Sequence, residues 1–185
     1  SGVEALLAAI RARLPFHRTP EEAELHAPEE ELRFAIIGRP NVGKSSLTNK
    51  LLGYERSLVS EVAGTTRDTV DTVFHMEDRV YRLIDTAGIR RKGKTYEGAE
   101  ILSILKAKQA MARADVSLLL VDAVEGVTHQ DAVIAGYAHE AGAAVVLVVN
   151  KWDLVPKDGF TSIQMEEKIR SDLGFLQHAP MIFIS

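Results

Sequence analysis

The chain has 185 residues, a net charge of −4 and a pI near 5.9, so its bulk surface is not the electrostatic footprint of a nucleic-acid binder and any such contact has to be a local basic patch. Cysteine is absent, which excludes a disulfide framework and a thiolate metal site. The length suits one domain with its own core, and the longest apolar runs, such as "AAVVLVV", fall short of the roughly 20 residues a membrane helix needs, so a soluble, cytoplasmic protein without a membrane partner is expected.

In chain order, "VEALLAAIRARLP" puts Leu6, Leu7, Ile10 and Leu14 on one helical face ahead of a proline stop, predicting a short amphipathic helix over residues 1–14. Residues 15–32 follow as a linker: Pro15, Pro20 and Pro28 surround Glu21, Glu22, Glu24, Glu29, Glu30 and Glu31, and such a composition buries too little apolar surface to order itself. From residue 33 onward the runs "FAIIG", "VYRLID", "VSLLLVDA", "AVVLVVN" and "MIFIS" are continuous, as in strands buried on both faces of a mainly parallel sheet. Helical segments are predicted at Ser45–Leu52, Gly98–Arg113 (with Ile101, Ile104, Leu105 and Met111 at helical spacing), Gln130–Ala141 and Ile163–Leu173. The alternation of Val70, Thr72 and Phe74 with less apolar residues, then a short polar turn before "VYRLI", predicts an antiparallel edge hairpin. The fold class expected is α/β: three layers around a six-stranded, mainly parallel sheet with one antiparallel edge strand.

The chemistry sits between these elements. "GRPNVGKSS" joins the strand "FAIIG" to a helix and matches G-x-x-x-x-G-K-[ST]. Gly38 and Gly43 allow a turn in which the amides of Gly38, Arg39, Pro40, Asn41, Val42, Gly43, Lys44, Ser45 and Ser46, proline excepted, can wrap phosphate at a helix N-terminus. Lys44 would reach the β- and γ-phosphates and the Ser45 hydroxyl would ligate Mg²⁺. A chance glycine-rich turn is the bland alternative, weakened by the strand before and the helix after.

Asp85 closes a buried strand, where a carboxylate needs a partner, and a Mg²⁺-bound water would supply one. Within "DTAGI" (Asp85, Thr86, Ala87, Gly88, Ile89), the Gly88 N–H would sense the γ-phosphate; for Asp85 alone, a turn or cap role weighs about as much. "NKWD" (Asn150, Lys151, Trp152, Asp153) follows another strand, at the edge where open α/β sheets bind ligands. Asp153 can accept from both a ring N–H and an exocyclic amine, a pair that guanine offers and adenine does not, which disfavours an ATP-dependent enzyme. Asn150 would hold the loop and the base edge, the Lys151 stem would lie along the base, and Trp152 reads as packing. In "GTTRD", Thr65 and Thr66 are equal candidates for a switch threonine on Mg²⁺, against an ordinary loop role for both.

Taken in order, GRPNVGKS, GTTRD, DTAG and NKWD resemble the translation-factor-related GTPases and, with "DTAGIRRKGK", "YE", "HQD" and "HEAG", the second G domain of the Der (EngA) family of tandem GTPases, over residues 33–185. The resemblance implies a GTP-binding and GTP-hydrolysing domain, GTP/GDP and Mg²⁺ as ligands, Thr66 rather than Thr65 on the metal, and a role in assembly of the large ribosomal subunit. It also implies a neighbouring G domain and a KH-like domain in the whole protein, and a guanine-contacting loop at Ser185 whose following residues and C-terminal helix lie outside this chain. Residues 1–14 then read as the last helix of a preceding G domain, docked where that C-terminal helix would sit. Ile89 stands where Ras-like proteins carry the glutamine that positions water. The same resemblance suggests K⁺ beside the phosphates, held in part by Asn41, with a ribosomal surface in trans as the alternative accelerator. Lys44, Thr66, Asp85, Gly88 and Asn41 are the expected catalytic set. Arg90, Arg91, Lys92 and Lys94 are either a solvated loop or a nucleotide-gated contact with rRNA or with a neighbouring domain. A second functional reading is a guanine-nucleotide-dependent docking module with negligible hydrolysis by itself.

Overall fold

The computed structural model describes residues 31–53, 58–63, 70–76, 79–86 and 99–185. The expectations placed on residues 1–30, on Thr65 and Thr66, and on Ala87, Gly88, Ile89, Arg90, Arg91, Lys92 and Lys94 lie outside these residues.

Strands form where the apolar runs are: β1 (Leu32–Ile37), β2 (Leu58–Ala63), β3 (Val70–Met76), β4 (Arg79–Ile84), β5 (Val116–Asp122), β6 (Ala144–Asn150) and β7 (Met181–Phe183). The helices are α1 (Lys44–Leu52), α2 (Ala99–Met111), α3 (His129–Glu140) and α4 (Thr161–Asp172), each within a few residues of its expected span. One sheet carries all seven strands in the order β2-β3-β4-β1-β5-β6-β7. Neighbours from β4 to β7 are parallel, while β2 and β3 run antiparallel to their neighbours. The α/β class therefore holds, but a seventh strand, β2, lies outside the expected hairpin and takes the edge position expected of β3; "LVSEVA" alternates too weakly to announce itself. The sheet also starts at Leu32, one residue earlier than predicted, and Glu31 already pairs with Arg82.

Both faces of the sheet are covered, which is why β5 is buried at every position. On one face Phe34, Phe74 and Tyr81 pack as an aromatic cluster, edge-on at 5.9 Å and 6.4 Å and stacked at 5.5 Å, beside Leu47 and Leu51 of α1. On the other, Leu119, Leu147 and Val149 meet Ala107, Ala110 and Met111 of α2, Ile134, Ala135 and Ala138 of α3, and Ile169 beyond. Leu105, expected on the inner face of α2, is instead 52% exposed. The helix turns its small residues inward, which lets it lie close to the strands, while Ile104 stays partly buried against the core.

Candidate functional site

Because β4, β1, β5, β6 and β7 are mutually parallel, their carboxyl ends share one edge, the edge at which open α/β sheets bind ligands. Five sequence segments far apart in the chain gather there: the turn 38–43 after β1, Asp85 after β4, Asp122 at the end of β5, Asn150 to Asp153 after β6, and Ser185 after β7.

The turn after β1 is built from backbone that side chains resist. Gly38 lies at φ 143, Asn41 at φ 63 and Gly43 at φ 106. A Cβ on Gly38 would come within 2.9 Å of the Leu120 carbonyl, and one on Gly43 within 2.0 Å of Asn150 Nδ2. Only glycine fits either place. Gly43 is also the N-cap of α1 and supplies no capping side chain, so the first-turn amides suit an anion. Lys44 Nζ donates to the carbonyls of Gly38 at 2.7 Å and Arg39 at 2.5 Å, folded over the concave side of the turn. Burial lowers its ammonium from the ordinary 10.5 to about 8; the negative charge of Asp131 opposes that fall and Arg39 adds to it. Such a partly desolvated cation regains charge stabilisation when phosphate arrives.

Asn150 binds the two halves of the site into one unit, its Nδ2 donating to the Val42 carbonyl at 2.9 Å. Its own carbonyl accepts from Ala123 N at 2.9 Å. Lys151, at φ 61, places Nζ 2.5 Å from Asp122 Oδ2. Asp122 also accepts the Val124 and Glu125 amides at 2.9 and 3.3 Å. Burial would raise this carboxyl; the bond from Lys151 and the two amides outweigh it, and it is held below the usual carboxylate range. Trp152 packs on Phe183, ring centroids 4.6 Å apart, and its backbone N–H donates to the Ile184 carbonyl at 3.0 Å, which draws the chain leading to Ser185 against the Asn150–Asp153 segment. Asp153 is exposed in the short helical turn Trp152–Leu154.

At the β4 end, Asp85 sits at φ 56 and its N–H donates to Asp71 Oδ1 at 3.0 Å. Thr86 is fully buried, donating to the Val70 carbonyl at 2.7 Å and accepting from the Thr72 hydroxyl at 2.9 Å. Asp85 directly follows β4, and Ser45, in the first turn of α1, is reached from the adjacent strand β1 through the turn 38–43. No group of three or more His, Cys, Asp or Glu residues suited to a metal occurs among the described residues. A hydroxyl plus one carboxylate is the donor set with which Mg²⁺ is held when phosphates and waters complete the octahedron.

Arg39, counted with the phosphate-wrapping residues, turns its side chain away: Nε donates to Asp131 Oδ2 at 3.1 Å, and a terminal nitrogen lies 2.8 Å from Glu125. Only its backbone remains with the turn. Asp131 is fully buried and forms a capping box with Thr128 at the start of α3. Sequence reasoning passed over Asp71, Asp122, Glu125, Arg113 and Asp131. Two had a readable signal: Asp122 ends an apolar run as Asp85 does, and "THQD" carries the [ST]-x-x-[DE] pattern.

Residues 33–151 match the family described as 50S ribosome-binding GTPase. Curated relatives include GTPase Der of Macrococcus caseolyticus, 54% identical over 166 residues that make up 90% of this chain and 38% of that protein. GTPase Der of a Geobacillus species is 52% identical over 185 residues, 100% of this chain and 41% of that protein. The chain thus spans about two fifths of the length of these relatives. Among solved structures, Era in complex with MgGDPNP and nucleotides 1506–1542 of 16S ribosomal RNA superposes with a TM-score of 0.61 at 32% identity, covering 84% of this chain and 51% of that one.

Proposed function

Since this chain belongs to the 50S ribosome-binding GTPase family, we propose that it is the guanine-nucleotide switch domain of a ribosome-assembly GTPase, binding GTP with Mg²⁺ and hydrolysing it with water to GDP and phosphate. The observation that carries this reading is the 2.9 Å bond from Asn150 to the Val42 carbonyl, which ties a guanine-selective motif to a phosphate-wrapping turn. The amides of the turn would cradle the phosphates and Lys44 would leave its carbonyls for the β- and γ-oxygens. Ser45, Thr66 and, through water, Asp85 would surround Mg²⁺, which neutralises charge developing on the phosphates. Asp153 would accept from the guanine edge, with Ser185 closing the pocket. Competition of labelled GDP by GTP and by ATP tests this; equal displacement by the two would overturn it.

Potassium is the proposed substitute for the water-positioning glutamine that Ile89 replaces. Asn41 is exposed at the crest of the turn at positive φ, where its amide oxygen is available to a monovalent cation. Single-turnover hydrolysis in KCl should exceed that in NaCl at equal ionic strength, and Asn41→Ala should abolish the difference. Negligible turnover in both salts would instead favour the docking-module reading.

The partner we propose is the ribosome, and within it the large subunit. The support is the family's description, the Der relatives and the neighbour Era, which binds 16S ribosomal RNA in its own structure. Arg90, Arg91, Lys92 and Lys94 are the residues proposed to touch RNA. Neutralising all four should remove salt-dependent binding of rRNA; unchanged binding would exclude them. The tandem G domain and KH-like domain of the whole protein, and the docking of residues 1–14 on this domain, are proposals of the same standing. Deleting residues 1–14 tests the latter, and unchanged stability would rule it out.

A further inference from the structure

Asp71 lies on β3, 1% exposed, in a stretch that sequence patterning assigns to nothing but a strand. A carboxylate there must have both oxygens satisfied, and the two go to very different places. Oδ1 accepts the backbone N–H of Asp85 at 3.0 Å. Oδ2 accepts from the guanidinium of Arg113, with Arg82 standing 3.9 Å away. Asp85 begins the stretch that links β4 to β5, and Arg113 lies near its end, two residues beyond α2. One side chain therefore holds both ends of that stretch.

The rest of the contact points the same way. The Thr86 hydroxyl is fastened to Val70 and Thr72, so three consecutive residues of β3 hold the backbone N–H of Asp85 and the side chain of Thr86. Asp85 sits at φ 56, in the left-handed region that aspartate visits more readily than most residues with a Cβ, and its contacts with β3 hold it there. The bond from its N–H to Asp71 fixes the peptide plane, and with it the direction in which the Asp85 carboxylate leaves the strand. Arg113 draws the Asp71 carboxylate into place and anchors the far end of α2.

We propose that Asp71 is a positioning residue for Mg²⁺: it sets the orientation of Asp85 toward the metal's water shell and, through Arg113, couples that orientation to the C-terminal end of α2. The proposal rests on the GTPase reading above. Asn at position 71 keeps the shape but has only one acceptor oxygen. Its NH₂ group must then face either the Asp85 amide or the Arg113 guanidinium, donor against donor.

The test is dissociation of a fluorescent GDP from the 185-residue chain, in EDTA and across a Mg²⁺ titration, for the parent, Asp71→Asn, Arg113→Met and Arg113→Lys, with thermal unfolding alongside. In EDTA all four should release nucleotide alike, because Asp71 and Arg113 touch neither the phosphate turn nor the base motif. The Mg²⁺ concentration that half-maximally slows release should rise about tenfold in Asp71→Asn and in Arg113→Met, as expected for loss of a charge-assisted hydrogen bond, with partial recovery in Arg113→Lys. Titrations that superimpose on the parent, whatever the change in unfolding temperature, would reduce Asp71 to a structural residue and overturn the proposal. If Asp71→Asn does not fold, the two Arg113 variants carry the same comparison. A parent that binds no guanine nucleotide would overturn the GTPase reading itself, a result distinguishable from flat titrations in a parent that binds.

Discussion

Gly43→Ala should damage the phosphate turn and the base motif together. The added Cβ would lie 2.0 Å from Asn150 Nδ2, far inside contact distance, so Asn150 has to rotate out and release the Val42 carbonyl. That loss is worth about 0.5–1.5 kcal/mol, the net value of one hydrogen bond. The backbone at φ 106 adds strain of about 1–2 kcal/mol for any residue with a Cβ. Together they predict a stability loss of about 1.5–3.5 kcal/mol in urea denaturation, and GDP binding weakened about tenfold if about 1.4 kcal/mol of it falls on the nucleotide-bound turn. Asn150→Gly separates the two terms. In the Gly43→Ala/Asn150→Gly double variant the collision is gone and the hydrogen bond is lost only once, so the pair should be less than additive by about 0.5–1.5 kcal/mol. Full additivity, or a Gly43→Ala protein with parental stability and affinity, would refute the idea that the two motifs are held in one piece by close approach at Gly43.

Other consequences follow from individual contacts. Asp131→Ala strips Arg39 of a fully buried partner and removes half the capping box of α3, and should cost about 3 kcal/mol; Thr128→Ala, losing the cap alone, should cost about 1 kcal/mol in the same denaturation series. Lys44 has a folded value near 8 against an ordinary 10.5. The unfolded chain thus binds more protons between these values, and stability of the nucleotide-free protein should rise with pH from about 8 to about 10.5. Phosphate restores the charge, so GDP binding near pH 8 should take up a fraction of a proton, read by calorimetry in buffers of different ionisation enthalpy; no buffer dependence would contradict a desolvated Lys44. Asp122 is held below its ordinary 3.8, so its contribution is present above that pH and lost as pH falls through the lower folded value. Asp122→Asn should lower stability near neutral pH by about 1–3 kcal/mol and flatten the acid limb of the stability profile. An unchanged acid limb would show that Lys151 and the two amides do not stabilise the carboxylate.

Much of this domain is legible in the amino-acid sequence. Continuous apolar runs read as doubly covered strands because a parallel sheet has no wet face, and all four described helices fall close to their expected spans. The phosphate turn was readable because its demands are local: two glycines, a lysine and a helix start within a few residues. What misled was also local. Leu105 satisfies the helical spacing but faces outward, since spacing identifies a stripe and not which edge of it meets the sheet. Strand β2 was missed because an outer strand needs no apolar run of its own; its pairing with β3 is made by backbone. Nothing in "GRPN" says that the Arg39 side chain leaves the turn for Asp131.

From the linear chain alone came the parts whose physics is short-ranged: where strands and helices form, and the expectations of which turn wraps phosphate and which carboxylate tells guanine from adenine. The folded arrangement alone decided which charges meet. Asp71 and Arg113 lie 42 residues apart, Arg39 and Asp131 92, and Asn150 and the Val42 carbonyl 108. A charged or amide group taken from water must be matched by whichever partner the packing brings within about 3 Å. That match depends on strand order and helix placement, which no local pattern encodes.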